Sequence, residues 1–535
     1  MGNEDKTNQK RGQAPAASGW IRTVQAKMEG PSLEDNRADV DRFLNQIRQS
    51  LDSEEVAIDF PLVKKMPGIL RKEGYDVQAV LYRANHLWHL IDILPAQKGA
   101  RIFGLAVDLG TSMITIRLLD LLTGGIKGER SFLNPQLEMG PDILTRIHKA
   151  SEEDGLCNLQ GLLIQGLNRE IGQIVKDQGV SFDRVAGMSV AGNTTMTHLF
   201  LGLDPYWLCR EPYIPVINRP EPIRAGELGL GIHPNAPVLV CPNVGSYFGG
   251  DLMAGILSSG MHHRQGTSLL VDVGTNAEVV LGNRDWLMAC AGAAGPALEG
   301  GVASMGMMAA PGAIDKVATD RESGELKLGT INNSPPVGIC GSGLIDLVAQ
   351  LYRLGMIDLR GKFVPARCGD HLREIEGMKH FVVVPSGASA TGKDLTLSQA
   401  DIDSLLRSKA AMFAILTTIT EMVNVSLRDI QRFYIGGAFG SYIDPRSAIT
   451  IGMLPDLPLE TYRALGNTSL EGAGQALVSK RARDEMYRIQ DQVTYIELNV
   501  NSRFMELFSA AKFIPHTDRS LFPSVKQNPG SLNIL

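Results

Sequence analysis

No C-x-x-C pair occurs anywhere in the 535 residues, and the six cysteines, Cys157, Cys209, Cys241, Cys290, Cys340 and Cys368, stand far apart. That spacing is not of the ferredoxin cluster type, and cysteines this isolated are expected as buried thiols and not as ligands. Apolar runs long enough to cross a bilayer are missing, so no membrane association is expected. The opening MGNEDKTNQKRGQAPAASGW is polar, has no apolar signal core and lacks the hydroxyl position of a myristoylation signal; the expected location is the cytoplasm. Basic residues are not in excess. The formal net charge is -6 with no basic stripe, so nucleic acid is not an expected partner. The G-x-x-x-x-G-K-[ST] signature is also absent, which argues against an ordinary phosphate-loop ATPase.

What is present fills several domains. Residues 1–30, polar and rich in small residues, are expected as a flexible tail. Residues 31–100 form a short linker domain. There PSLEDNRADVDRFLNQIRQSL places Val40, Phe43, Leu44, Ile47 and Leu51 on one helical face, with Asp35 or Asn36 as cap. YDVQAVLYRANHLWHLIDIL then reads as a hairpin turning at Asn85 and His86. Strands and helices mix from Phe103 onward, an α/β pattern. We place a middle domain, the first lobe, at 101–235 and a C-terminal domain at 236–535.

Two stretches carry the same order of residues. FGLAVDLGTSMITIRLLD alternates apolar residues at Leu105, Val107, Ile114, Ile116 and Leu118 around an Asp-Leu-Gly-Thr-Ser bend. LLVDVGTNAEVVLGN repeats strand, Asp, Gly, Thr and second strand. A nucleoside triphosphate with Mg²⁺ needs backbone N–H groups close to its phosphates, hydroxyls beside them and a carboxylate near the metal, usually through water. Asp108, Gly110, Thr111 and Ser112 supply that set in one turn; Asp272, Gly274, Thr275 and Asn276 supply it in the other. The expectation is two related lobes holding phosphates between them, with Asp108 and Asp272 as metal ligands through water. Each turn by itself is equally an ordinary tight turn with a capping Asp; the pairing favours the nucleotide.

Further clusters extend the set. GICGSGLIDLVAQLYRLG puts Gly341, Ser342 and Gly343 ahead of an amphipathic helix, where free N–H groups favour an anion or ribose hydroxyls. RFYIGGAFGSYI offers Gly436 and Gly437 as a flat surface for an adenine ring; either cluster is also compatible with close strand-to-helix packing. Asp251, at a helix start after SYFGG, is a candidate to position the attacking water or an N-cap. Asn193, Thr194 and Thr195 either touch the γ-phosphate region or close their loop, and His198 is expected as a packed histidine. Lys409, on a helix that Ser398 caps, is expected at the nucleotide ribose. Asn134, Asp142 and Arg146 of NPQLEMGPDILTRI are expected at a contact between lobes or with a partner.

With these residues in view the chain resembles the actin-like superfamily of sugar kinases, acetate kinases and heat-shock ATPases. More narrowly, it is similar to the ATP-dependent reductive activators of corrinoid proteins. The carrying stretches run from LEDNRADVDRFL through VDLGTS, FLNPQLEMGPDILTRI, AGNTTMTHLFLGLDP, LLVDVGTNAEVVL, AGPALEGG, GICGSGLIDL, DIDSLLRSKAAM and FYIGGAFG to HTDRSLFPSVK. The resemblance implies a two-lobed actin-like ATPase fold with ribonuclease H-like lobes, preceded by a short N-terminal linker domain.

It also implies a protein, commonly a homodimer, that uses ATP and Mg²⁺ to help return an inactive Co(II) corrinoid protein of a methyltransferase system to Co(I). Members usually carry an iron–sulfur domain before or after these stretches. This sequence has no cysteine before Cys157 or after Cys368, so no iron–sulfur cluster is expected in the chain. The electron is expected from a separate low-potential donor such as a ferredoxin. The alternatives are a small-molecule kinase and a non-redox nucleotide-dependent regulator of the same fold.

Overall fold

The computed structural model describes residues 19–51, 55–96, 101–273, 277–292, 303–320, 325–440, 442–496 and 502–526. The chain falls into two units, Met1–Ser258 with Ser469–Asp491, and Ser259–Thr468 with Gln492–Leu535.

The first unit begins with β1 (Ile21–Lys27), α1 (Asp39–Leu51), β2 (Val56–Ala57), α2 (Phe60–Lys72), β3 (Asp76–Ala84) and β4 (Leu87–Pro95), whose strands lie in the order β1-β3-β4-β2. The hairpin turns where expected, with Asn85 and His86 at φ 47° and 65°, the pair of left-handed residues that a two-residue loop demands. Phe43 and Ile47 of α1 pack with Leu62, Met66 and Leu70 of α2 over this sheet. Two expectations fail here. Residues 21–27 are no tail: they pair with β3 from Ile21↔Tyr82 to Lys27↔Asp76, and Trp20 is fully buried. An edge strand that shows Arg22, Thr23, Gln25 and Lys27 to its surroundings reads as polar in sequence. Nor do Asp35 and Asn36 cap α1. The helix starts at Asp39, and the Asp35 carboxylate is taken by Arg37 and the buried Arg42.

The same unit continues through β5 (Phe103–Leu109), β6 (Met113–Asp120), β7 (Ile126–Leu133), α3 (Ile143–Ala150), α4 (Gly155–Asp177), β8 (Val185–Gly192), α5 (Thr194–Leu201), β9 (Ile223–Arg224), β10 (Pro237–Val240) and α6 (Gly250–Ser259). Its sheet has the order β7-β6-β5-β8-β10-β9. Leu105, Val107, Ile114, Ile116 and Leu118, the alternating residues, are completely buried with Leu159, Leu163, Leu167 and Ile171 of α4. Each such side chain contributes about 1.5–3 kcal/mol of burial.

The second unit contains β11 (Ser268–Val273), β12 (Ala277–Gly282), β13 (Leu287–Gly292), β14 (Ala313–Thr319), β15 (Leu326–Thr330), β16 (Gly338–Ile339), α7 (Gly341–Arg353), α8 (Pro365–Cys368), β17 (Leu372–Ile375), β18 (Met378–Val384), β19 (Leu395–Ser398) and α9 (Gln399–Met422). After these come β20 (Arg432–Gly436), α10 (Gly437–Gly440), α11 (Pro445–Ile451) and β21 (Tyr462–Gly466). The helices α12 (Thr468–Val478) and α13 (Lys480–Gln492) fall mostly in the first unit, and β22 (Val493–Ile496) and α14 (Ser502–Ala510) complete the second.

The main sheet of the second unit has the order β21-β20-β11-β12-β13-β22. Both main sheets therefore share one plan: three antiparallel strands in hairpin succession, then two strands added parallel to the first (β8 and β10; β20 and β21). The duplication read from the two Asp-Gly-Thr turns is a duplication of sheets. The boundary drawn at 235/236 does not separate them. Val238 of β10 pairs with Met188 of β8, so the chain stays in the first sheet beyond that point and comes back to the first unit with α12. Apolar periodicity identifies a strand but not the sheet that it joins.

Candidate functional site

In the first unit, Asp108 lies next to the end of β5 opposite Thr115, and the chain bends through Gly110, Thr111 and Ser112. A Cβ on Gly110 would lie 2.3 Å from Met113 O, so the bend admits only glycine. Ser469 Oγ, on the first turn of α12, donates to Asp108 Oδ1 at 2.8 Å. Asn193 caps α5, accepting from Met196 N at 2.9 Å, and its Nδ2 donates to Thr111 Oγ1 at 3.1 Å. Thr194 Oγ1 is turned to Gly245 O at 3.1 Å, and Thr194 and Thr195 are both buried; of their two expected roles, the structure gives Thr194 the closing of the loop.

Asp251 stands in the first turn of α6, where its Oδ1 accepts from Leu252 N at 2.8 Å. A Cβ on Gly249 would meet Asn193 Cα at 2.4 Å and Asp251 Oδ1 at 2.7 Å. The missing side chain lets the Asp251 carboxylate approach Asn193, which itself bonds Thr111. Asp108, Thr111, Asn193 and Asp251 thus gather at the ends of β5 and β8. Asp251 belongs to this first unit, although the sequence boundary assigns it to the second.

In the second unit, Asp272 of β11 lies beside Gly436 of the parallel β20, and Thr468 Oγ1 donates to its Oδ2 at 3.5 Å. A Cβ on Gly436 would come within 2.8 Å of Thr468 Oγ1 and 3.4 Å of Asp272 Oδ2; glycine there keeps this corner open. Gly437 follows at φ 78°, a left-handed residue at the start of α10. Gly274, Thr275 and Asn276 lie outside the described residues.

Gly341, Ser342 and Gly343 form the buried first turn of α7 instead of preceding it. Ser342 Oγ donates to Asp315 O at 3.2 Å, and a Cβ on Gly343 would lie 2.1 Å from Ile314 O. Close packing of α7 against β14 accounts for Gly343. Lys409 departs from its expected place altogether. It is fully buried, and its Nζ donates to Phe513 O at 2.6 Å and Pro515 O at 2.7 Å, so it ties the 513–515 segment to α9 and is not at a ribose site. Burial holds its pKa well below the usual lysine value. Ser398 does cap α9, in a capping box with Asp401.

Three comparisons bear on this geometry. Residues 18–99 match the RACo linker region, 103–264 the RACo middle region and 266–526 the C-terminal domain of RACo, its ASKHA domain. The corrinoid activation enzyme RamQ of Eubacterium limosum is 31% identical over 482 residues, covering 88% of this chain and 79% of its own. The chain belongs to the reductive activators of corrinoid proteins. Another relative of this activator, the [Co(II) methylated amine-specific corrinoid protein] reductase of Methanosarcina barkeri, is 26% identical over 429 residues, 74% of this chain and 73% of that one. A solved structure of a reductive activator for corrinoid, iron-sulfur protein superposes with a TM-score of 0.88 at 38% identity, covering 98% of this chain and 82% of that chain. The activator therefore has the actin-like ASKHA fold with an N-terminal linker region, as the resemblance implied. Among the described residues, no helix is long and apolar enough to cross a membrane.

Sequence reasoning missed two residues beside the candidate site's carboxylates. Ser469 and Thr468 sit in GNTSLEGAG, where nothing local marks their acidic partners. Asn134, Asp142 and Arg146, expected at a contact between lobes or with a partner, are each held by groups of the first unit itself. Asn134 and Arg146 are buried within the first unit behind the Gly110–Ser112 bend, and Asp142 caps α3 through Thr145 N at 2.9 Å and Thr145 Oγ1 at 2.7 Å. Those Thr145 bonds hold the Asp142 carboxyl below its usual range. Of the cysteines, Cys241, Cys290, Cys340 and Cys368 are buried as expected, and burial pushes the Cys241 and Cys290 thiols up to about 12. Cys157 is exposed and Cys209 partly so, because neither is among the residues that α4 or the 206–209 turn buries.

Proposed function

We propose that this activator binds Mg·ATP through its Asp-Gly-Thr turns and hydrolyses it while a partner corrinoid protein is returned from Co(II) to Co(I). The observation that carries this reading is the repeated sheet plan, in which each first strand ends in an Asp held by a hydroxyl from the start of α12. Family membership supports the corrinoid partner. The donor set fits the ligands: carboxylate and hydroxyl oxygens suit a hydrated Mg²⁺ ion, and the N–H groups of Thr111 and Ser112 in the Gly110 bend, which have no acceptor among the described residues, suit a phosphate.

In this reading Asp108 and Asp272 each hold metal-bound water, Gly436 and Gly437 leave room for the nucleotide, and Asp251 orients the attacking water. ATP supplies phosphoryl-transfer free energy when bound. Its conversion with water to ADP and phosphate biases the activator between conformations. One electron passes from a reduced low-potential donor such as a ferredoxin to cobalt; the donor is oxidised and Co(II) becomes Co(I). The protein works as a homodimer in the cytoplasm. Phosphate release from the full chain, with and without a Co(II) corrinoid protein, tests the ATPase step. Stimulated release in wild type that is lost in Asp272→Asn is expected; equal release by both proteins would refute the assignment.

A further inference from the structure

The stretch from Asn134 to Arg146, which runs from the end of β7 into α3, has no part in the reading above, yet all three carbonyls of the Gly110–Thr111–Ser112 bend are held by it. Gly110 O accepts from Asn134 Nδ2 at 3.0 Å, Thr111 O from Arg146 Nη2 at 2.7 Å, and Ser112 O from Asn134 N at 2.8 Å. These braces are themselves fixed. Asn134 Oδ1 accepts from Gln136 N at 3.0 Å; Arg146 Nε donates to Gly140 O at 2.9 Å, and its Nη1 to Gln136 Oε1 at 3.3 Å. Asn134, Gln136 and Arg146 are at most 1% exposed.

In a trans peptide the C=O and the following N–H point in opposite directions. Carbonyls turned back onto Asn134 and Arg146 therefore turn the N–H groups of Thr111 and Ser112 to the opposite side. Neither of those two N–H groups has an acceptor among the described residues. Behind them sits a guanidinium with no carboxylate within 4 Å among the described residues; Asp142, the acidic group that acts on it, has both oxygens engaged by Thr145. A buried cation normally brings its own counter-charge.

We propose that Asn134 and Arg146 are positioning residues: together they orient the bend with its N–H groups outward, and the Arg146 charge, which has no ion-pair partner within 4 Å among the described residues, gives that bend its preference for highly charged phosphate. Burial lowers the Arg146 pKa only to about 10, so the side chain stays cationic at neutral pH. The inference rests on the nucleotide reading and names the residues that set its selectivity for ATP over AMP. The cation acts through Thr111 O and through space, without touching the ligand.

The test is calorimetric titration of the full chain with ATP and, separately, AMP. Wild type is compared with Arg146→Met, which keeps the length and removes the charge, Arg146→Lys, which keeps the charge, and Asn134→Ser, which removes one brace. Arg146→Met is expected to lower the ratio of ATP to AMP affinity about tenfold, the size of one lost charge-assisted interaction, with Arg146→Lys recovering part of it. A ratio unchanged in Arg146→Met, even with a lower melting temperature, would reduce Arg146 to a structural brace and overturn the inference. If Arg146→Met does not fold, Asn134→Ser decides, with an unchanged ratio again counting against the proposal. Wild type that binds neither nucleotide would instead remove the nucleotide reading, and this inference with it.

Discussion

Ser469 donates its hydroxyl to Asp108 Oδ1 at 2.8 Å, joining the first turn of α12 to the end of β5 across 361 positions of sequence. The preceding residue, Thr468, does the same for Asp272 Oδ2 at 3.5 Å. Two consecutive hydroxyls thus each serve one of the two acidic turns. Hydrogen bonds accepted by a metal-binding carboxylate fix its direction toward the metal, and that is what such a hydroxyl supplies.

Ser469→Ala is expected to weaken Mg·ATP binding about tenfold, the value of one hydrogen bond to a charged group. Thr468→Val, whose bond is longer, should cost less. Gly436→Ala should cost more than Thr468→Val, because its Cβ would stand 2.8 Å from Thr468 Oγ1, rotate that hydroxyl away from Asp272 and take up room left for the nucleotide. Fluorescence titration with a nucleotide analogue at fixed Mg²⁺ checks the order; equal affinities throughout would deny the hydroxyls any role.

Lys409→Met removes the donor to Phe513 O and Pro515 O while keeping most of the volume. Two buried carbonyls are left without it, a loss of about 2–5 kcal/mol in unfolding free energy. Nucleotide affinity below the new melting transition should equal that of wild type. A drop in affinity at unchanged stability would return Lys409 to the ribose.

These residues mark what was legible. The hairpins, their apolar alternation and the long helix α4 follow from local periodicity, which one strand or helix carries within itself. Lys409 was misplaced although its surroundings spoke: the helix SLLRSKAAMFAILTTIT is apolar on nearly every face, and such a helix is buried whole. Ser469 and Arg146 had no local signal, because their partners are set by tertiary contacts of 361 and 35 positions' separation.

His198 is buried and neutral: Nδ1 donates to Thr194 O at 2.7 Å and Nε2 accepts from Val216 N at 3.0 Å. Burial is the largest influence on it and lowers its pKa, so the unfolded chain takes up the proton first as pH falls. Its contribution to stability is complete above pH ~6.5 and is lost as pH drops toward the folded value, with a slope of at most ~1.4 kcal/mol per pH unit. Thermal melts between pH 8 and 5 should show this decline, and His198→Gln should flatten part of it.

The thiols should divide by burial. Cys157, exposed on α4, should react first with iodoacetamide, followed by Cys209, whereas Cys241 and Cys290 should stay unmodified in the folded protein. Peptide mass mapping of a time course reads the order; early labelling of Cys290 would contradict the packing of the second unit's core.

The central claim is tested most directly by the anaerobic visible spectrum of a Co(II) corrinoid protein mixed with this activator and a reduced ferredoxin, with and without Mg·ATP. The account predicts a Co(I) band that grows only when the activator and Mg·ATP are both present, and that fails to grow with Asp272→Asn. A Co(I) band of equal size and rate without ATP, or none at all despite bound nucleotide, would contradict it.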